Sequence, residues 1–529
     1  MILNDRTGNA CRRLKTIEFR LKFLGIKREK MSALFQNVGY GSMRNGRFAF
    51  FVVLFLLQPS LRGQTFKPES YKENSKTAGI QEAIDAAAKG GGGTVQIPAG
   101  TFILHAAPGH PAILLRSRVT LAGAGPEKTI LKLEANPKVY PSVMANQNYA
   151  NPDAAEADHD ITLQGFTIDV AASDQVVRET KLARAVPVAG EQEIALQSTE
   201  GIALDSVLRV DPGPNEEIVP VLKIPSGSHR AFLMRPHPAG AKVVLLVERL
   251  HGLALAGAHN VTIENVTIQN APMDGIYLSS TVDPAQHRTY CQKINIQKCN
   301  FIACHRNGIS VIDADDVTIS NNNFRDITGD PGSPVDVEPD LPEQHGNRIA
   351  IRHNLAFRCY RGIMMTLQNG GPTSENFREE TIIGNKIVGT LYGYGIYVAV
   401  QQRGATVSGN TIEGPAGEGI YLFGSSQVQV TNNVITDPGR CHTVGNCRKE
   451  AAGTGIRVEG LSSGNVITGN TIKDTQNPPT LLYGVEFSST GKGNTIERNV
   501  VSRFDSTRGM VVHVSGKAES NKISGNSKQ

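Results

Sequence analysis

A two-part phrase recurs from His259 to Asn526 and restricts this chain to folds that stack. Its first half reads Ile/Val-x-x-Asn-x-Ile/Val, as in Ile382-Ile383-Gly384-Asn385-Lys386-Ile387 and Val407-Ser408-Gly409-Asn410-Thr411-Ile412. Its second half is Gly-apolar-x-apolar, as in Gly275-Ile276-Tyr277-Leu278 and Gly419-Ile420-Tyr421-Leu422. The repeated Asn falls at 322, 354, 385, 410, 433, 470, 499 and 526, in steps of 23 to 37 residues. Units this short, each with two or three alternating strands, bury no core singly and must pile on one another. The period of two sends the apolar residues inward and the intervening one outward. An Asn recurring at an inward turn can bond the backbone of that turn and the next Asn above it, satisfying polar groups away from water. The pattern predicts an all-β fold, a right-handed parallel β-helix solenoid.

Composition agrees with many tight corners: 54 Gly, no Trp and few aromatics. The formal charge of +5 comes from the first 63 residues, which hold 12 Lys/Arg against 3 Asp/Glu. The remaining 42 basic and 46 acidic residues give −4, and no basic stripe points to nucleic acid. Phe48 to Leu57 is an unbroken apolar run behind Arg44 and Arg47, with Pro59 to Gly63 after it. As a helix it spans about 15 Å, half of a bilayer core, so it reads as a secretory signal over 43–63 and not as a membrane span. Residues 1–42 are read as an over-called start, with translation beginning at Met43 or, as the alternative, Met31.

Export permits disulfides. Cys441 and Cys447 form the expected pair. Cys299 occupies the ladder position held elsewhere by Asn and reads as a buried small residue. Cys304 and Cys359 fall two coils apart, about 9.6 Å, beyond disulfide reach.

Residues 64–78 read as linker. Over 79–170, Ile80, Ala83, Ile84 and Ala87 give one face of a short helix that Gly90 to Gly93 ends. Thr94 to Ile97 and Thr101 to Leu104 follow as strands, and the helix covers the open end of the stack. Over 171–250 the repeat vanishes, and strand-like pieces at 193–196, 207–210, 217–223, 231–234 and 242–247 predict an all-β insertion. Repeat insertions often wall a groove. The main solenoid occupies 251–529.

The segment Ile80-Gln81-Glu82-Ala83-Ile84-Asp85-Ala86-Ala87-Ala88, the glycine run, and Thr94 to Phe102 resemble the opening of pectate-lyase superfamily proteins, a group that includes rhamnogalacturonase- and epimerase-like β-helices. Val119-Thr120-Leu121-Ala122-Gly123-Ala124-Gly125 is similar to their next coil. The resemblance implies a β-helix working on polysaccharide. The Asn-Thr-Asp, Asp-Asp and Gly-His-Gly pattern of polygalacturonases is missing.

Function is sought in the outward column of the second half-phrase: Tyr277, Ser310, Asp336, Met364, Tyr397, Tyr421, Arg457, Glu486 and Val511. Asp336 and Glu338 are the catalytic candidates. At i and i+2 on a strand they share a face, about 6.6 Å apart at Cα, and mutual repulsion raises the proton affinity of one. Glycosidic cleavage needs such a pair. The alternative is a solvated acidic edge, or with Asp340 a calcium site. Arg361 and His305, one coil away on either side, are the supporting candidates, Arg361 as binder of an acidic sugar or, as the resemblance to lyases of this superfamily implies, as base or aid to the base in β-elimination. Asp274, Tyr277, Asn307, Tyr397 and Tyr421 are expected to bind substrate, the tyrosines by stacking on sugar rings. No resident metal or cofactor is assigned, calcium being the one considered.

The expectation is an exported enzyme cutting an acidic polysaccharide by hydrolysis or β-elimination. The alternatives are a non-catalytic glycan-binding or adhesin scaffold and a sugar epimerase. The expected partner is the polysaccharide itself, with no nucleic acid, no membrane span and a monomeric state.

Overall fold

Each coil of the main solenoid contributes three short strands to three parallel sheets, here A, B and C in the order the chain meets them. One coil runs Ala314–Ser320 in A, Asn323–Arg325 in B and Val335–Val337 in C. The next repeats this at Ala350–Arg352, Leu355–Phe357 and Ile363–Met365. Strands pair in parallel with those one coil away and in constant register, Ile319 with Ile351 and Phe324 with Ala356. This computed structural model describes residues 63–529 apart from 136–139, 151–155, 205, 222–228, 248–249, 330, 368–374, 401–402, 440–452, 503–508 and 516–519. The signal read at 43–63, except for its last residue Gly63, the segment 1–42, Cys11 and the Cys441–Cys447 pair lie outside the described residues.

Inward residues of all three sheets form one continuous core, from Val95 and Leu121 through Ile263, Ile319 and Ile412 to Val501. The corner between sheets A and B carries the asparagine ladder. The residue before each ladder Asn has positive φ, whether Gly (Gly384, Gly409, Gly469) or not (His353, Asn432, Arg498), which turns the chain in one step and points the next side chain inward. Asn410 Nδ2 donates to the Ile382 carbonyl (2.8 Å) and to Asn433 Oδ1 (2.9 Å). Its own Oδ1 accepts from the Asn385 backbone N–H (2.9 Å) and Nδ2 (3.0 Å). The same set repeats from Asn322 to Asn526. Cys299 tops the ladder as expected, its N–H donating to Asn322 Oδ1 at 2.8 Å. A second, shorter ladder of Asn465, Asn494 and Asn521 lines the corner from C to A. Cys291, Cys299, Cys304 and Cys359 are buried free thiols.

At the N-terminal end, the helix Ile80–Lys89 buries Ile80, Ala83, Ile84 and Ala87, the predicted face, and Gly90 N–H caps it on Ala86 O. No described helix is long and apolar enough to cross a membrane.

The insertion leaves the corner between B and C after Thr167–Asp169 and returns at His251–Ala256 in sheet C. Its described strands pair antiparallel. Val176–Lys181, Lys242–Leu246, Val207–Val210 and Glu217–Pro220 form one sheet, and Gly190–Ile194 pairs with His229–Leu233. Its first strand, at 176–181, lacks the apolar alternation that marked the others. The unit has its own core around Leu182, Leu208, Val219 and Val243. Phe232 then docks it against the solenoid, edge-on to Tyr360 (5.3 Å) and Tyr392 (6.1 Å). Those tyrosines lie at the same B–C corner four and five coils further on, so the insertion runs along one edge of sheet C. On the opposite edge, the strands Ile276–Val282 and Arg288–Gln297 extend past the coil as an antiparallel pair.

Candidate functional site

Sheet C carries the predicted column in the expected register: Tyr277 beside Ser310, Ser310 beside Asp336, then Met364, Tyr397, Tyr421, Arg457 and Glu486. Two corrections apply. The last rung places His513, not Val511, beside Glu486, because Tyr483 pairs with Met510 and Val511 takes the place that Gly484 holds one coil back. And the middle of the column is not open: Ser310, Asp336 and Met364 are buried, Asp336 completely.

What covers Asp336 is a polar cluster. Asn307 Nδ2 donates to Asp336 Oδ2 at 3.3 Å and to Ser310 Oγ at 3.0 Å, while its Oδ1 accepts from Ser333 N–H at 2.9 Å. Asp336 Oδ1 has no hydrogen-bond partner among the described residues. Burial first, then the Glu338 charge, raise the Asp336 carboxyl well above the usual carboxylate range. Glu338 remains 16 % exposed.

The cation beside this pair is Arg306, which sequence reasoning missed. It lies 3.0 Å from Asp274 and 3.5 Å from Glu338 and keeps 24 % of its side chain exposed. Asp274 is fully buried, takes the Asn307 N–H at 3.0 Å and lies 3.2 Å from His251 Nδ1. Burial acts to raise its pKa, but the Arg306 charge and His251 outweigh that and hold it below the usual value. The Asp274 backbone nitrogen is 3.4 Å from the same Nδ1. The carboxylate is the closer contact and the stronger acceptor, so the ring is oriented by an Nδ1–H directed at Asp274. The His251 ring stacks on Tyr277 (centroids 4.7 Å, 20° between planes). Burial and then Asp274 push the Tyr277 hydroxyl up to about 12.

Of the predicted residues, Asp274, Tyr277, Asn307, Asp336 and Glu338 therefore converge, joined by His251 and Arg306. His251 had a signal: Gly252-Leu253-Ala254-Leu255 is one more copy of the second half-phrase, and register puts His251 beside Asp274, one coil back. Arg306 is flanked by two residues that were chosen, but how far a long side chain reaches is not written in periodicity.

His305 and Arg361 serve other contacts. His305 is buried near Thr328 Oγ1 (3.5 Å), and burial lowers its pKa to about 4, so it is a neutral packing group. Arg361 lies over the rings of Tyr360 (5.2 Å) and Tyr392 (5.5 Å) and donates to Pro331 O. It sits where the insertion docks, because two aromatic faces and a carbonyl hold it there. Tyr397 and Tyr421 pack together (5.1 Å) further along the face. Among the described residues no three His, Cys, Asp or Glu side chains are arranged to hold a metal ion.

The family described as right handed beta helix region matches residues 287–378 and 374–529. The one described as rhamnogalacturonase A/epimerase, pectate lyase-like, matches 72–332. Mannuronan C5-epimerase AlgE4 of Azotobacter vinelandii is 40% identical over 90 residues, 17% of this chain and 16% of that protein. The uncharacterized protein YclG of Bacillus subtilis is 26% identical over 216 residues, 35% of this chain and 37% of its own length. The chain thus spans well under half the length of these relatives. Among solved structures, the A-module of the A. vinelandii mannuronan C-5 epimerase AlgE6 superposes with TM-score 0.57 at 15% identity, covering 88% of this chain and 99% of the module. Repeat, coil geometry and the two matched families, which between them reach from the capping helix to the last rung, agree: the chain is a right-handed β-helix protein of the pectate-lyase-like superfamily.

Proposed function

We propose that this chain is a carbohydrate-active enzyme that moves a proton at a sugar carbon of an acidic polysaccharide, by epimerisation or β-elimination. One observation carries the reading. A partly exposed guanidinium, Arg306, sits between a buried carboxylate and a more open one, next to a histidine–tyrosine stack. A proton on the carbon beside a carboxylate is lost only when the growing negative charge is offset, which a fixed guanidinium does. The long 3.5 Å contact to Glu338 is the one a substrate carboxylate would replace. His251 Nε2 takes the proton, its ring oriented through Nδ1 by Asp274. Tyr277 is protonated at neutral pH and returns a proton to the carbon. If that return is from the opposite face, the centre is inverted; if the neighbouring C–O bond breaks first, the chain is cut and an unsaturated end forms. Asp336, holding its proton, adds no further negative charge to the cluster. The likeness to C5-epimerases in sequence segments and fold supports this reading, and the export signal read in the sequence fits an extracellular polymer.

A second reading, glycoside hydrolysis by Asp336 as acid and Glu338 as base or nucleophile, is favoured by the raised proton affinity of Asp336 beside Glu338. It requires the sugar to reach a carboxyl that is now fully covered. The deciding experiment incubates the protein with polymannuronate, polygalacturonate and neutral glycans in D2O. Deuterium entering intact polymer is the expected result for epimerisation, and ultraviolet-absorbing unsaturated ends for elimination. New reducing ends without either would transfer the assignment to hydrolysis; binding without change on every glycan would leave a scaffold.

A further inference from the structure

The same face carries a second constellation built like the first. Position by position on sheet C, Glu418 stands where Asp274 does, before the glycine of its rung, and Tyr421 stands where Tyr277 does. Two rungs on from each tyrosine the column holds Glu486 and Asp336 respectively. An arginine again occupies the middle: Arg457 lies 3.1 Å from Glu418, 3.1 Å from Glu459 and 3.7 Å from Glu486. It also lies 5.5 Å from the Tyr421 ring centre, and the Tyr421 hydroxyl donates to Glu459 at 2.7 Å. Arg457 and Glu459 keep 25 % and 33 % of their side chains exposed.

One member differs. The position of His251 is taken by Tyr394, which packs on Tyr397 (4.5 Å) and Tyr421 (6.1 Å). The second centre thus has the ring platform, the guanidinium and the carboxylates but no imidazole to accept a proton. Five rungs separate Tyr277 from Tyr421, about 24 Å at the usual strand spacing and a span of several sugar units.

We infer that the Tyr421–Arg457 centre is a non-catalytic anchor for the same glycan chain, binding a sugar ring on Tyr421 and Tyr397 and its hydroxyls through Glu459 and Arg457. Resting on the function proposed above, it makes the face bivalent: a chain held at one centre is presented to the other at high effective concentration. Three carboxylates around one arginine suit hydroxyl donors better than a substrate carboxylate, so the anchor reads the sugar ring and not its charge.

The test compares Glu459→Gln and Tyr421→Ala with wild type on polymannuronate polymer and on an oligomer too short to span five rungs. The expected result is a KM for polymer raised at least tenfold, turnover at saturation following wild type, and no change with the short oligomer. Equal losses on both substrates, or no change on polymer, would overturn it. Direct polymer binding, measured with His251→Ala by polarisation of labelled chain, separates the two proposals. If polymer binds and the anchor variants weaken it while wild type turns nothing over, the anchor stands and the chemistry falls. Far-ultraviolet circular dichroism of each variant identifies a folding defect, and the milder Glu459→Gln then decides.

Discussion

Removing one rung of the asparagine ladder has a cost that can be worked out bond by bond. In Asn410→Ala, four hydrogen bonds of 2.8 to 3.0 Å disappear. Two of the partners keep another bond: Asn433 Oδ1 still accepts the Asn410 N–H (2.9 Å), and Asn385 Nδ2 still donates to Ile351 O (2.9 Å). The Asn385 backbone N–H loses its ladder acceptor, and the Ile382 carbonyl loses a donor, both inside a corner with no exposure at Asn410. At about 1–3 kcal/mol for each of these two buried groups left short of a partner, the loss is about 2–6 kcal/mol. Asn410→Asp should cost more, since an acceptor then faces two oxygens where Nδ2 donated. Asn526→Ala, in the partly buried last rung, should cost only about 1 kcal/mol because water replaces what is lost. The assay is guanidinium unfolding followed by circular dichroism and tyrosine fluorescence, the chain having no Trp and 12 Tyr, with m-values compared. Equal costs at 410 and 526, with m unchanged, would refute the claim that buried satisfaction makes the ladder matter.

Arg306→Ala should abolish turnover and destabilise the protein by about 3 kcal/mol, since it leaves Asp274 buried without its cation; Arg306→Lys should recover stability more than activity, read by kcat beside unfolding midpoints. For His305 the folded pKa of about 4 lies below the ordinary 6.5. Stability from its burial is therefore complete above pH 6.5 and is lost as pH falls through 4, by up to about 3 kcal/mol. His305→Gln should flatten that part of the stability–pH curve, and an unchanged curve would show the imidazole is not the group responsible. Phe232→Ala should loosen the insertion from Tyr360 and Tyr392 and make residues 171–250 cleavable by protease while sheet C keeps its unfolding midpoint.

The stacking, the inward ladder and the capping helix were legible because each depends on spacing alone. Ile80, Ala83, Ile84 and Ala87 share a face by the helical period, and Cys299 takes an Asn position because the count to Asn322 places it there. The column on sheet C was legible for the same reason, up to the last rung, where Val511 replaces a glycine and shifts the frame to His513. What side chains do once placed was harder to read. Asp336 was expected to face water, yet Asn307 from the preceding coil covers it. Arg361 and Arg306 stand at the same corner two coils apart, and the rings of Tyr360 and Tyr392 with the Pro331 carbonyl explain why the first is drawn aside. Phe232 lies in the insertion, over a hundred residues from the tyrosines it meets, and no periodicity links them.

Coils of 23 and 37 residues are joined by ladder bonds of the same length here. The face of sheet C is in that sense a ruler whose graduations do not move when material is added at its margins. A variant lineage could exchange its loops, or graft another domain where the present insertion sits, and each side chain in the file would still meet the same unit of a bound chain.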